Sequence, residues 1–556
     1  MNQETKPQPP SPTEGVKERS RGLRGTLEQS LRDQLTGQLA ADDQSVIKFH
    51  GIYQQDDRDR REARERKKLE RDYSFMIRLR LPAGEITPAQ WLGIAHIAQA
   101  SGNGVVKITT RQTVQIHGVI KSKMKPTMQS FAALGVDTIS ACGDVNRNVL
   151  AGAHPSISPF HAEVQRFAAA ISEHLLPKTR AYSEIWLDGE KLSGDEPEED
   201  PLYGKHYLPR KFKIALVIPP INDTDVLAND IGLIAVEEKG KFTGFNVAVG
   251  GGMGTTHGSP DTYPRLATTI GFVPKDKTLE VVWQITAIQR DFGNRSDRKL
   301  ARLKYTVDRM GIERFKEELH TRLGYALAPA RDVAFTARAD LLGWQQDQEE
   351  RWYYTLFVEN GRVVDAPGYA LKTGLCALAQ SGLCGFRFTA SQNIMLTYIA
   401  PENRAKIQAL LEQHGLAQAE FSPTRQEAIA CVALNTCPLA LAEAQRYMPS
   451  FITKIEALLE KHDLRDAPIS IRMTGCPNGC ARPHLAEIGL VGRSLGHYNL
   501  HLGGDALGLR LNRLYAENLD ESGILAALEP LLAAYAKERR GGERFGDYIE
   551  RKGIAA

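Results

Sequence analysis

The sequence predicts an α+β fold: three mixed α/β domains on an internal pseudo-twofold duplication around a central site, preceded by a disordered N-terminal tail. Three observations carry this. Strand-like and helix-like stretches alternate from Tyr73 onward, and several segments of the first half recur in the second half in the same order. The first twenty-odd residues, by contrast, are polar and proline-rich with no hydrophobic period.

The opening MNQETKPQPPSPTEGVKERSRG shows no apolar segment of a secretory signal. No run of about eighteen apolar residues occurs, so no ordinary membrane-spanning helix and no membrane partner are expected. The stretch DDRDRREARERKKLERD, residues 56–72, mixes both signs of charge. It reads as a solvated helix or linker, with a docking arm for a partner as the alternative. A net charge of +3 gives no global pull on nucleic acid, and none is expected as a partner. Seven cysteines, an odd number in 556 residues, are too few for a disulfide scaffold, and the expected compartment is a reducing cytoplasm.

FMIRLRLPAG reads as a strand ended by proline and glycine. TPAQWLGIAHIAQASG then reads as a helix capped by Thr87 and stopped by Gly102. VVKITTRQTVQIHGVI reads as a second strand, on which alternation puts Lys107, Thr109, Arg111, Thr113, Gln115 and His117 on one polar face. Pattern alone leaves a plain solvated face as the competitor. Arg78 and Arg80, and Lys211 and Lys213, are pairs spaced by two, and Arg147 stands between two asparagines in GDVNRNV. Each pair by itself is more often a surface feature. Repeated in a duplicated scaffold, they point to a cationic pocket for an anion.

The duplication is read from three echoes. GFRFTASQNIMLTYI from Gly385 repeats VVKITTRQTVQIHGV, with Arg387, Thr389, Ser391 and Asn393 on one face. LANDIGLI at Leu227 returns as LAEIGLVG at Leu485, and FNVAVGGG at Phe245 as YNLHLGGD at Tyr498. The expected division is an N-terminal tail and arm over 1–72, paired half-domains over 73–140 and 343–416, a first α/β domain over 141–342 and a last domain over 417–556.

Cys431 and Cys437 are separated by five residues, and Cys476 and Cys480 by three. Structural zinc usually takes C-x2-C knuckles. The wider spacings suit a four-thiolate 4Fe–4S cluster better, with zinc and unrelated buried thiols as alternatives. Proline after Cys437 and after Cys476 stiffens the chain as it leaves each thiol. Cys142, Cys376 and Cys384 read as core residues, and Cys142, five residues before Arg147, has a place near the site as its alternative reading. The run AVGGGMGTTHG has Gly252 and Gly254 but His257 where a dinucleotide loop needs its third glycine. With no nicotinamide module legible, a redox cluster needs an external electron donor.

FHGIYQQDDRD from Phe49, PKTRAYSEIWLDGEK, YLPRKFK, GFNVAVGGG, QRDFGNRSDRK, ACVALNTCPLA, TGCPNGC and FGDYIERKGI follow one another in the chain. In that order the sequence resembles the sirohaem-containing sulfite and nitrite reductases, over nearly all of it after the first fifty residues. It is most similar to their NADPH-dependent assimilatory branch. The resemblance implies ferredoxin-like half-domains, sirohaem and a 4Fe–4S cluster as cofactors, and six-electron reduction of sulfite to sulfide for cysteine biosynthesis. It also implies a flavoprotein (alpha) partner that supplies electrons from NADPH. By the same resemblance Cys431, Cys437, Cys476 and Cys480 are the cluster ligands, and Cys480 also bridges to the sirohaem iron. Arg78, Arg147, Lys211 and Lys213 face the substrate. Lys107 and Arg111 pair with sirohaem carboxylates, with Gln115, His117 and Asn478 nearby. Lys107 departs from the arginine more often found there and loses the bidentate fork. In the family's nitrite reductases the second lysine of the K-x-K pair tends to be asparagine, so Lys213 favours sulfite. The alternatives are a ferredoxin-fed sulfite or nitrite reductase, or a cluster-bearing electron carrier without catalysis.

Overall fold

A computed structural model describes residues 9–178, 185–187, 190–193, 199–417 and 421–555. The α+β expectation and the duplication are both borne out. Two five-stranded sheets form the paired half-domains. The first runs Ile52–Asp56, Tyr73–Arg78, Val114–Val119, Val106–Ile108 and Arg362–Val363. The second runs Gly343–Gln346, Trp352–Leu356, Ile394–Ile399, Gly385–Phe388 and Glu85–Ile86. Each half thus lends a two-residue edge strand to the other.

The exchange begins at matching turns. Ala83 and Gly84 have φ of 56° and 75°, and Asn360 and Gly361 of 51° and 73°. A side chain at Gly361 would place its Cβ 2.2 Å from the Ile108 carbonyl, and one at Gly84 would place it 2.6 Å from that of Phe388. Glycine is what lets the lent strands pass this close. The predicted helix appears as Pro88–Ser101 with a complete capping box, Thr87 accepting from the Gln90 amide and the Gln90 side chain from that of Thr87. It buries Trp91, which stacks on Phe386 of the other half-sheet at 5.9 Å.

The stretch read as one strand from Val105 is a hairpin instead. Val106–Ile108 and Val114–Val119 pair antiparallel across a turn in which Thr109 donates its amide to Thr113 and Gln112 has φ 50°. GFRFTASQNIMLTYI folds the same way, with Gln392 at φ 71°. Threonines and other polar residues at the centre of each segment favour the turn over continued pairing with a neighbour.

Two further sheets carry the second repeat. One runs Thr268–Pro274, Lys241–Val249, Ile231–Glu238 and Ile214–Val217; the other runs Ile429–Ala430, Ile471–Thr474, Ile488–Ser494, His497–Leu502 and Arg513–Leu519. Ile214 pairs in parallel with Ile231, and Ile471 with Ile488, which fixes the correspondence residue by residue. Lys213 and Ser470 precede the equivalent strands, and their amides donate to Asp230 and Glu487 at 2.9 and 2.8 Å. Asp225 and Arg482 stand at the N-caps of the equivalent 3-10 turns Val226–Ala228 and Pro483–Leu485, both left-handed, at φ 48° and 55°.

Residues 1–8 of the expected disordered tail lie outside the described residues, as do 179–184 and 188–189 of PKTRAYSEIWLDGEK. The rest of the tail is packed. Helix Pro12–Arg19 buries Lys17, whose ammonium meets Glu14 at 2.7 Å, Asp144 at 3.1 Å and the Leu208 carbonyl at 2.7 Å. A lysine of the segment read as disordered is therefore neutralised inside. The charged stretch 56–72 likewise begins inside the fold. Asp56 ends a strand of the first sheet, and Arg58 donates to the Ala440 carbonyl at 2.5 Å, over the loop that carries Cys437.

Candidate active site

The hairpin register assembles a row across the first half-sheet: Arg78 lies opposite Gln115, Gln115 opposite Lys107, and Lys107 opposite Arg362 on the lent strand. Directly opposed residues share a face, so the row presents three cations and one amide. Gln115 fixes Arg78 by accepting from Nη2 at 3.0 Å, while Nη1 reaches the Cys142 sulfur at 3.0 Å. Burial, then Arg362 and Arg446, lower Lys107 to about 8. Arg80 leaves this row: the strand ends at Arg78, and Arg80 pairs with Asp137 at 2.6 Å, so the spacing-by-two expectation fails there.

Cys142 does lie near Arg147. It and Tyr53 are within electrostatic reach of that guanidinium, whose Nη2 meets the Tyr53 hydroxyl at 3.5 Å and whose Nε donates to the Gly143 carbonyl at 3.2 Å. Arg78 and Arg147 are thus both aimed by the Tyr53–Cys142 neighbourhood.

A second group converges on the repeat. Thr110, Arg111, Lys213, Asn229, Gly254, Arg302, Asn478, Cys480 and Arg482 line one cavity. Arg111 is held by Asn229 Oδ1 at 2.6 Å, by the Ile214 carbonyl at 3.0 Å and by the Asn148 carbonyl. Burial and the neighbouring Arg482 push it down to about 9. Burial and Arg210 lower Lys211 to about 7, with Arg302 and Arg147 adding to the effect and Cys480 opposing it. Lys213 is likewise lowered, by burial, Lys211 and Arg111. No carboxylate pairs with Lys107, Lys211 or Lys213 among the described residues, whereas Arg302 is bound bidentately by Asp230 at 2.7 and 3.1 Å. Cations lowered by one another are a site short of negative charge.

The four cluster-type cysteines come together: the charges of Cys480, Cys476 and Cys437 all bear on Cys431. Burial, then Cys480, raises the Cys431 thiol strongly and Cys437 to about 11. The Gly475 amide donates to Cys431 Sγ at 3.3 Å, and Asn478 Nδ2 to Cys476 Sγ at 3.6 Å, donors of the kind that stabilise cluster thiolates. Three of the cysteines are buried or half-buried and Cys480 is exposed toward the cationic cavity, so it stands at the junction of the two groups.

His117 is fully buried beside Gln55 at 2.9 Å and Thr436 at 3.4 Å, at the cysteine loop rather than in the cavity wall. Its Nε2, like Nε of Arg78 and Arg111, has no partner among the described residues. The backbone also comes close here: a Cβ on Gly254 would lie 3.0 Å from the Asn478 carbonyl. Orphaned donors, an excess of cations and this close approach fit a flat group rich in carboxylates. The glycine run that failed as a dinucleotide loop is part of that cradle.

The spacing rule missed Tyr53, Asn229, Arg302, Arg362 and Arg482. ARLKYT holds Arg302 and Lys304 at the same spacing of two as the other basic pairs, so that signal was present. The duplicated counterpart explains why chemistry gathers on one side only. Where one copy has Lys213 the other has Ser470, where one hairpin has Arg111 the other has Ser391, and where one loop has Cys480 the other has Asp223. Ser391 and Ser470 line a separate cavity with Arg338, Asp340 and Arg472.

Comparison with known proteins follows the same division. The family model of a nitrite/sulfite reductase ferredoxin-like half domain matches residues 67–134 and 344–414, and that of a nitrite and sulphite reductase 4Fe-4S domain matches 168–327, the copy of the repeat without the four cysteines. The sequence is 58% identical to the sulfite reductase [NADPH] hemoprotein beta-component of Leptospira biflexa, over 97% of this chain and 98% of that protein. It is 53% identical to the protein of the same name in Myxococcus xanthus, over 98% and 97%. Among solved structures, the Mycobacterium tuberculosis NirA protein superposes with a TM-score of 0.78 at 25% identity, covering 98% of this chain and 97% of that one.

Proposed function

The chain belongs to the nitrite and sulfite reductase family, and on that premise we propose that it reduces sulfite to sulfide as the hemoprotein (beta) component of an NADPH-dependent assimilatory sulfite reductase. Its electrons come from a flavoprotein (alpha) partner that oxidises NADPH. Among the described residues no helix is long and apolar enough to cross a membrane; a cytoplasmic place of work is part of the proposal.

What supports the reading is the pair Lys211 and Lys213, which have no carboxylate partner among the described residues and lie within electrostatic reach of Cys480, with Arg147 in reach of Lys211. Cys431, Cys437, Cys476 and Cys480 would hold a 4Fe–4S cluster, and Cys480 would also meet the sirohaem iron. Arg111 and Lys107 would face sirohaem carboxylates, with Gln115 and Asn478 nearby and His117 behind them. Bound there, the two cofactors supply single-electron transfer and a metal on which sulfur is reduced.

The protein's part is charge, position and protons. Arg78, braced by Gln115 and Cys142, and Arg147, braced by Tyr53 and Gly143, present guanidinium donors to sulfite oxygens. Sulfite must lose three oxygens as water, and each departure needs protons. An ammonium near 7, as at Lys211, gives up a proton far more readily than an ordinary lysine. Lys213 sits beside it with its backbone pinned to Asp230, so its reach into the cavity is fixed from below.

The test is an absorption spectrum with iron and acid-labile sulfide assays, followed by turnover with sulfite and nitrite as competing acceptors. A sirohaem Soret band and preference for sulfite are expected. A preparation without the band, or one that strongly prefers nitrite, would sink the reading.

A further inference from the structure

Lys304 is a fully buried lysine on helix Leu303–Met310 that ion-pairs with no carboxylate among the described residues. Its ammonium donates instead to three backbone carbonyls, those of Gly252 at 3.2 Å, Gly254 at 2.8 Å and Tyr263. The rings of Tyr305 and Tyr263 lie 4.7 and 5.6 Å away. Burying a cation is costly unless its donors are filled. Here all three are filled from one segment, so the charge is committed to holding that segment in place.

The segment leaves the sheet after Val249 and crosses to the other copy of the repeat. Its Thr255 amide donates to the Pro477 carbonyl at 2.8 Å. A Cβ on Gly479 would lie 2.8 Å from the Met253 carbonyl, so the two backbones touch. Further along, His257 Nδ1 meets Arg493 Nη1 at 2.9 Å. Met253 and Gly254 at the same time form part of the cavity wall opposite Cys480. The crossing is therefore a strap laid on the turn between Cys476 and Cys480.

We propose that residues 252–263 are a strap that fixes the Cys476–Cys480 turn, and that Lys304 is the positioning residue that fixes the strap. The proposal rests on the reading that Cys480 joins the cluster to the sirohaem. Lys304 acts on that junction through backbone, without touching it.

The test uses the holoenzyme. Lys304→Met keeps the length of the side chain and removes its donors. Amide exchange at Thr255 should then accelerate about tenfold or more, while the amides of helix Leu303–Met310 keep their rates. The spectroscopic signature of magnetic coupling between the two centres should shift with it. Gly254→Ala, whose new Cβ would press on the Asn478 carbonyl at 3.0 Å, should shift the same signature with Lys304 intact. It decides the matter if Lys304→Met does not fold. Unchanged exchange at Thr255 in Lys304→Met, or an unchanged coupling signature in both variants, overturns the strap. A wild-type holoenzyme with no coupled signature would instead defeat the cofactor reading, and exchange at Thr255 in the cofactor-free protein would still decide the strap.

Discussion

Arg482 Nε lies 2.5 Å from Asp225 Oδ2, and the two residues occupy the same place in the two copies of the repeat, each at the N-cap of the 3-10 turn that follows it. The pair sits where the copies meet. Arg482 also donates to the Thr110 and Ala390 carbonyls, both at 3.0 Å, which are themselves equivalent positions in the two hairpins. Arg472 reaches the same Asp225 oxygen at 2.5 Å, and Arg338 lies 3.9 Å from the other oxygen.

One carboxylate therefore serves three buried arginines. Asp225→Ala leaves them without it, and removing one partner of such a group costs about 3–5 kcal/mol. Chemical unfolding of the purified variant should show a loss of that size, whereas a loss below about 1 kcal/mol would mean that other groups neutralise the arginines.

Lys213→Ala should lower sulfite turnover about 10²–10⁴-fold, the usual weight of a positioned proton donor, while both cofactors stay bound. Turnover measured beside the absorption spectrum separates the two outcomes. Full activity in this variant would remove Lys213 from the site.

The lysine pair also sets a pH dependence. Lys211, faced by Arg210, Arg302, Arg147 and Cys480, is lowered to about 7 from an ordinary value of 10.5. Below 7 its ammonium is present in the folded protein and attracts the anion; above 7 it is lost. Sulfite binding should therefore weaken as pH rises through about 7, read as an increase in KM. The stability effect has the opposite sign. Between 7 and 10.5 the unfolded chain binds the extra proton, so this group contributes increasing stability as pH rises through that window. A KM that is flat from about pH 6 to about 8.5 would contradict the role of Lys211.

Cys480→Ser should abolish the coupled centre, because the serine hydroxyl is a poor substitute for a bridging thiolate. Iron and labile-sulfide content together with the visible spectrum would record the loss. A normal coupled spectrum in that variant would disprove the bridge.

Much of the site was legible because its residue types are unusual where they stand. Four cysteines in two spaced pairs and repeated basic pairs have few structural uses, and Arg111, Lys213, Asn478 and Cys480 do line one cavity. Arg80 shows where spacing misleads: alternation holds only while a strand continues, and this strand stops at Arg78, before the second member of the pair. Lys17 and Arg58 show the same for composition. A polar tail looks disordered, and a charged stretch solvated, until a distant carboxylate or carbonyl takes the charge, here Asp144 and Ala440.

By itself the sequence determined the α+β class, the duplication, the four thiols and the cations, because periodicity and residue chemistry are local properties of the chain. Tertiary structure alone decided that each half lends a strand to the other, that Arg362 faces Lys107, that Tyr53 and Cys142 aim the arginines, and that a strap held by Lys304 crosses the cysteine turn. These are contacts between residues far apart in the chain. Their energy comes from burial and from pairing across the two halves, and no local pattern records which distant group will supply the partner.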